Sequence, residues 1–340
     1  GDDLYTTLDT RIQKAAYEAL GDRKGAVIAI EPDTGRILAM VSKPDFDPNN
    51  IEDVWASLNE SSESVLLNRA TQGLYAPGST FKVVTALEYM REHSDYQNFS
   101  YQCTSTIIKN SNKVSCYHGT AHGRVNLTQA IAKSCNTAFV ELGSDLNRKK
   151  FRVLAEDLLF NQKIPVDVAS KKSSFVVTKS TDRSLMPQTV IGQGNTQITP
   201  LNNALIMCAI ANKGVIMKPY LADHIENYNG GTIKQYETSE YKKALNEEEA
   251  DAMKEMLKAV VTDGTGSALN TSAYTVAGKT GSAEYNSAKD SHAWFIGMSN
   301  VEDPDLVVSV IVEGGGSGGA AAAPVAKKVF DSYYNNGLNH

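Results

Sequence analysis

The strongest constraint on this chain is where its strand-like runs fall: they sit at the two ends, with helical patterning between them. GAVIAIEP (residues 25–32) and RILAMVS (36–42) are apolar runs joined by Asp33-Thr34-Gly35, the pattern of a hairpin of buried strands. TVAGKTGSAEY, HAWFIGMS and DLVVSVIVEG supply three more strands near the C-terminus. Segregated strands and helices favour an antiparallel sheet over alternating parallel units. The expected fold class is therefore α+β: a mainly antiparallel five-stranded sheet built from both chain ends and flanked by helices, with an all-helical subdomain inserted. The sheet lobe would take residues of about 1–60 and 265–340, and the helical lobe about 61–264.

Helix signals fill the middle. Thr7-Leu8-Asp9-Thr10 before RIQKAAYEAL reads as a capped amphipathic helix ending near Gly21. Pro77-Gly78 breaks the chain before STFKVVTALEYM, in which Phe81, Val84, Leu87 and Met90 recur at helical spacing. VNLTQAIAKSCNTAFVELG reads as a second apolar helix, NEEEADAMKEMLKAVV as an amphipathic one and AAAAPVAKKVFDSYY as the last. Residues 161–200 read as loops, and GGGSGGAAAA (314–323) as a flexible turn.

A 340-residue chain with 41% hydrophobic and 21% charged residues can bury a large core. A net charge of −6 without a Lys/Arg block argues against a nucleic-acid partner. No apolar run approaches the ~20 residues that span a bilayer, and no signal peptide precedes LYTTL.

Three short motifs carry chemistry. In Ser79-Thr80-Phe81-Lys82, residues i and i+3 share a helix face, so Lys82 can serve as base for the Ser79 hydroxyl if its pKa is lowered. The helix start adds N–H groups for a developing oxyanion. Taken alone, the motif reads as an N-cap serine and a solvated lysine. Ser134-Cys135-Asn136 is a polar pair inside an apolar run, available as proton relay and amide binder, or else a satisfied core pair. Lys279-Thr280-Gly281-Ser282 offers a cation and hydroxyls to a carboxylate, and Gly281 allows close backbone approach; the bland alternative is an edge strand guarded by a lysine. In this order, on helix, helix and strand, the three form the signature set of β-lactamases and penicillin-binding proteins.

The chain resembles the transpeptidase domain of a class B penicillin-binding protein. The likeness runs through LDTRIQKAAYEAL, GAVIAIEPDTGRILAMVSKPDFDPN, NRATQGLYAPGSTFKVVTAL, HGRVNLTQAIAKSCNTAF, IGQGNTQITPLNNALIMCAIANKGVIMKPYL, VAGKTGSAEY and HAWFIGMS. It implies a D,D-transpeptidase that crosslinks peptidoglycan stem peptides through a Ser79 acyl-enzyme and is inhibited by β-lactams. Lys82 would be the general base, Ser134 the proton relay, Asn136 the holder of the substrate amide, and Lys279 an electrostatic support. Thr280, Gly281 and Ser282 would bind the substrate's terminal carboxylate, with Ser282 standing where threonine is common. The backbone N–H groups of Ser79 and Ser282 would form the oxyanion hole. Catalysis would need no cofactor. The abrupt start fits a longer parent whose anchor and N-terminal pedestal domain are absent here, held at the cell membrane with its catalytic domain outside the cytoplasm and paired with a glycosyltransferase. A serine β-lactamase or a penicillin-sensing receptor domain would share part of the motif set.

Cys103, Cys116, His122 and Cys135 are spaced C-x12-C-x5-H-x12-C. The residue types suit a structural zinc, although a Cys103–Cys116 disulfide and plain core cysteines also fit. Similarity to those class B enzymes that carry zinc beside the second motif implies metal, with His122 preferred over His118.

Overall fold

The computed structural model describes residues 1–284 and 291–335. Its main sheet comprises β1 (Gly25–Ile30), β2 (Ile37–Lys43), β3 (Val276–Ala283), β4 (His292–Ser299) and β5 (Leu306–Val312), ordered β3-β4-β5-β1-β2 with every neighbour antiparallel. The chain ends meet where β5 pairs with β1, with Ser309 opposite Ile28. Tyr285, the last residue of the expected VAGKTGSAEY strand, lies outside the described residues.

Both faces of this sheet are covered, which is why its strands read as unbroken apolar runs. Side chains alternate between faces with period two. Ala26, Ile28 and Ile30 join the larger core toward the helical lobe, while Val27 and Ala29 join the smaller one.

The helices that frame the sheet and the site are α1 (Thr10–Leu20), α2 (Lys82–Glu92), α3 (Leu127–Ala132), α4 (Asn136–Gly143), α5 (Pro200–Ala211), α6 (Glu247–Thr262) and α7 (Ala323–Asn335). Asp9 caps α1 by accepting from Arg11 N and Ile12 N at 2.9 and 3.3 Å. Ile12, Ala16, Val329 and Phe330 of α1 and α7 fill the smaller core. On the other face lies α5, whose residues are all buried, as an evenly apolar helix must be. Asn246 and Glu249 close a capping box on α6.

Three expectations need correction. The inserted segment is not all-helical: Tyr101–Cys103 pairs with Gly123–Val125, Thr106–Lys109 with Asn112–Ser115, and Val215–Met217 with Glu240–Lys243. These strands are three or four residues long, too short to show alternation in the sequence. The second helix is two: α3 ends at Ala132 and α4 begins at Asn136, with Ser134 between them at φ 53°. The glycine-rich stretch forms a helical turn over Gly318–Ala322, capped by Ser317, that runs directly into α7. Among the described residues, no helix is long and apolar enough to cross a membrane.

Candidate active site

The break between α3 and α4 is the key local feature. A left-handed backbone at a non-glycine residue is uncommon and persists where the surroundings over-determine it. Here it turns Ser134 out of the helix into a cleft of about 950 Å³, lined also by Ser79, Asn136, Thr280, Gly281 and Ser282.

Ser79 lies in a short 3-10 turn, Gly78–Phe81, that leads into α2. The same turn carries Lys82 inward, where it is wholly buried rather than solvated. Its ammonium donates to Ser134 O at 2.8 Å, Ser134 Oγ at 3.2 Å and Asn136 Oδ1 at 2.6 Å. Burial lowers its pKa to about 8, against a partial counter-effect from negative charge on the Cys135 and Cys116 sulfurs. Lys279, equally buried on β3, donates to Ser134 Oγ at 3.0 Å and to Thr280 O at 2.9 Å. Burial, and then repulsion from Lys82, holds its pKa well below the usual lysine range. Two ammonium groups, separated by almost two hundred residues of chain, therefore converge on one serine oxygen.

Strand β3 is an edge of the sheet, and the Ser79 turn docks on it. Gly78, at φ 54°, sits so close that a Cβ there would lie 2.5 Å from Ser282 O. At Gly281 a Cβ would meet Thr80 Cγ2 at 3.0 Å, so this glycine does permit a backbone approach. Because an extended residue turns its N–H and C=O to the same side, Ser282 presents both toward the Ser79 turn.

The structure also brings together the four residues of the cysteine–histidine cluster. Cys103 ends one short strand opposite Gly123, which follows His122; Cys116 follows another strand; Cys135 precedes α4. Cys103 Sγ and Cys116 Sγ are 3.8 Å apart, as are Cys116 Sγ and Cys135 Sγ, and Cys103 Sγ lies 3.5 Å from His122 Nδ1. All four ligand atoms lie within 4.8 Å of one another. The cysteines are free thiols, so no Cys103–Cys116 disulfide is formed. His118 packs against Tyr117 and lines the cleft instead of joining the cluster. Asn136 Nδ2 donates to Ser115 O at 2.9 Å, tying the motif to the strand beside Cys116.

One contributor escaped the sequence reading. Thr265, in the loop after α6, shares a 2.5 Å hydrogen bond with Thr280 Oγ1, and its N–H donates to Ala132 O. An isolated threonine in DGTGSA carries no sequence signal; only the fold places it there.

Comparison with known proteins agrees with this architecture. The Penicillin binding protein transpeptidase domain family matches residues 25–331, and the chain belongs to that family. It is 33% identical to peptidoglycan D,D-transpeptidase PbpA of Mycolicibacterium smegmatis, over 92% of this chain and 67% of that protein. Among solved structures, it resembles the D,D-transpeptidase domain of a peptidoglycan glycosyltransferase from Eggerthella lenta, at TM-score 0.92 and 33% identity, covering 99% of this chain and 84% of that one. The imipenem acyl-enzyme complex of penicillin-binding protein A from Mycobacterium tuberculosis is similar at TM-score 0.88 and 30% identity, covering 98% and 80%. The chain thus spans about two thirds of the PbpA relatives' length.

Proposed function

We propose that this chain is the crosslinking domain of a peptidoglycan D,D-transpeptidase, with Ser79 as its acylated nucleophile. The observation that carries this reading is the convergence of Lys82 and Lys279 on Ser134 Oγ, at the floor of the cleft that Ser79 lines. Ser79 Oγ attacks the carbonyl of the penultimate D-alanine and gives its proton to neutral Lys82. Ser134 Oγ, in contact with Lys82, passes that proton to the departing D-alanine amine. Lys279 holds the relay hydroxyl in place and adds positive potential. Asn136 orients the substrate amide, while Thr280, Gly281 and Ser282 receive the terminal carboxylate. Backbone N–H groups of Ser79 and Ser282 stabilise the tetrahedral oxyanion. An acceptor amine from a second stem peptide then takes the acyl group, restoring the Ser79 hydroxyl. β-Lactams enter the same course and stop at the acyl-enzyme.

The reading extends to the parent protein. The parent would be a membrane-anchored transpeptidase acting outside the cytoplasm beside a glycosyltransferase; the Eggerthella lenta relative, a transpeptidase domain of a peptidoglycan glycosyltransferase, supports the pairing. The division into a sheet lobe of about 1–60 and 265–340 and a lobe of about 61–264 belongs to the same proposal.

Structural zinc is the second part. Tetrahedral zinc, with Zn–S of about 2.3 Å and Zn–N of about 2.0–2.1 Å, sets S···S edges of about 3.8 Å and S···N edges of about 3.5 Å. The separations of Cys103, Cys116 and His122 and of Cys116 and Cys135 match those edges. These four residues would hold the ion, and its bound form would pin the wall carrying Ser134 and Asn136. Four protein ligands leave no open position, so the ion's part is structural.

Labelling with a fluorescent penicillin tests the nucleophile and the reaction class. A long-lived adduct that Ser79→Ala abolishes, together with stem-peptide crosslinking by the wild type, is the expected result. Labelling that survives in Ser79→Ala would remove Ser79 from its role, and rapid release of label would mean a β-lactamase.

A further inference from the structure

Thr137 has no part in the chemistry above, yet its hydroxyl occupies an unusual place. It is wholly buried, and Oγ1 donates to Cys103 Sγ at 3.2 Å while lying 3.4 Å from Cys135 Sγ and 3.6 Å from Cys116 Sγ. One oxygen thus meets all three sulfurs of the cluster. The backbone N–H of Thr137 also reaches Cys116, and that of Ala138 reaches Cys135. The first turn of α4 therefore delivers one hydroxyl and two amide donors to the three sulfurs. The Tyr101 side chain meets the Thr137 side chain as well.

A divalent ion held by three thiolates and a neutral imidazole leaves one net negative charge buried in the protein. Burying charge is costly unless hydrogen bonds compensate it. Groups that hydrogen-bond to metal ligands set their orientation and their electron density, and losing one typically costs about 10–100-fold in metal affinity. A threonine at this position in a helix ordinarily turns its hydroxyl to solvent or to a backbone carbonyl; here its proton goes to sulfur.

We propose that Thr137 is the positioning residue of the metal centre: its hydroxyl caps the three-sulfur face, balances thiolate charge and thereby sets the affinity for zinc. This rests on the zinc reading above. It also gives the residue following Asn136 a function separate from acyl transfer, so metal affinity and the catalytic wall are controlled from adjacent positions on one helix.

The test uses the full chain, stripped of metal under reducing conditions and titrated with zinc(II) against a chromophoric chelator, and separately with cobalt(II) to observe the thiolate-to-cobalt charge-transfer absorption. Wild type should bind one equivalent of either ion. Thr137→Val, nearly isosteric but without the hydroxyl, should bind zinc about 10–100-fold more weakly and shift the charge-transfer band. Thr137→Ser, which keeps the hydroxyl, should stay within a few-fold of wild type. Failure of the wild type to bind metal would overturn the zinc reading itself. Metal binding by wild type with an unchanged Thr137→Val affinity and spectrum would overturn the role of Thr137 while leaving zinc intact. Should the valine variant not fold, Thr137→Ala, which also lacks the hydroxyl, decides: a loss of zinc affinity of about tenfold or more that Thr137→Ser does not show supports the role, and affinity within a few-fold of wild type overturns it.

Discussion

Ser134 Oγ is the point at which two buried ammonium groups meet, and its left-handed backbone is what brings it there. The titration of Lys82 has a direct kinetic consequence. As the proposed base, Lys82 takes the Ser79 proton only in its neutral form, and burial brings its pKa to about 8. Below that value the neutral fraction falls about tenfold per pH unit. The rate constant for acylation by a β-lactam should therefore rise from pH 6 to about 8 and level off above it. A profile that is flat across this range would exclude Lys82 as the base. The sequence made these residues legible as types, since the order S-x-x-K, S-x-N and K-T-G is distinctive. It could not reveal that Lys82 is desolvated: burial of a lysine depends on the lobe packed over it, and Ser134 and Asn136 lie more than fifty residues further along.

At the scale of elements, the contact between the Ser79 turn and the edge of β3 holds two motifs in register. Gly78→Ala would place a Cβ 2.5 Å from the Ser282 carbonyl oxygen, on top of the strain of φ 54°. Backbone on both sides leaves little room to yield, so a loss of about 1–3 kcal/mol in stability and slower acylation are expected. Gly119→Ala is the control: its φ of 68° is equally unfavourable, but a Cβ there meets nothing within 4 Å. Equal effects in thermal melting and acylation would show that strain, and not the close approach to β3, governs Gly78. The five main strands and the helices at 10–20, 247–262 and 323–335 were readable because period and caps agree there with tertiary burial. The break between α3 and α4 was not, because no Gly or Pro marks it and an apolar run masks it. The short strands around Cys103 and Cys116 owe their existence to cross-chain pairing, which a local pattern does not contain.

For the whole molecule, the decisive pairing is between β1 and β5, separated by more than 270 residues. Closing so long a loop is slow compared with local helix formation, and β3, β4 and β5 cannot be replaced from elsewhere in the chain. A fragment ending at residue 270 should lack a stable sheet lobe, with weak near-ultraviolet dichroism and rapid proteolysis, although it retains Ser79, Lys82, Ser134 and Asn136. A protease-resistant fragment of that length would show that the helical lobe folds autonomously. The position of β3 also makes the site self-policing during synthesis. Lys279 and the strand proposed to bind the carboxylate follow Ser79 by about two hundred residues, and β5, which joins the sheet to β1, follows later still. A chain interrupted before residue 276 would carry the proposed nucleophile without the strand proposed to hold substrate, so acyl-enzyme formation reports that β3, β4 and β5 have been made and docked.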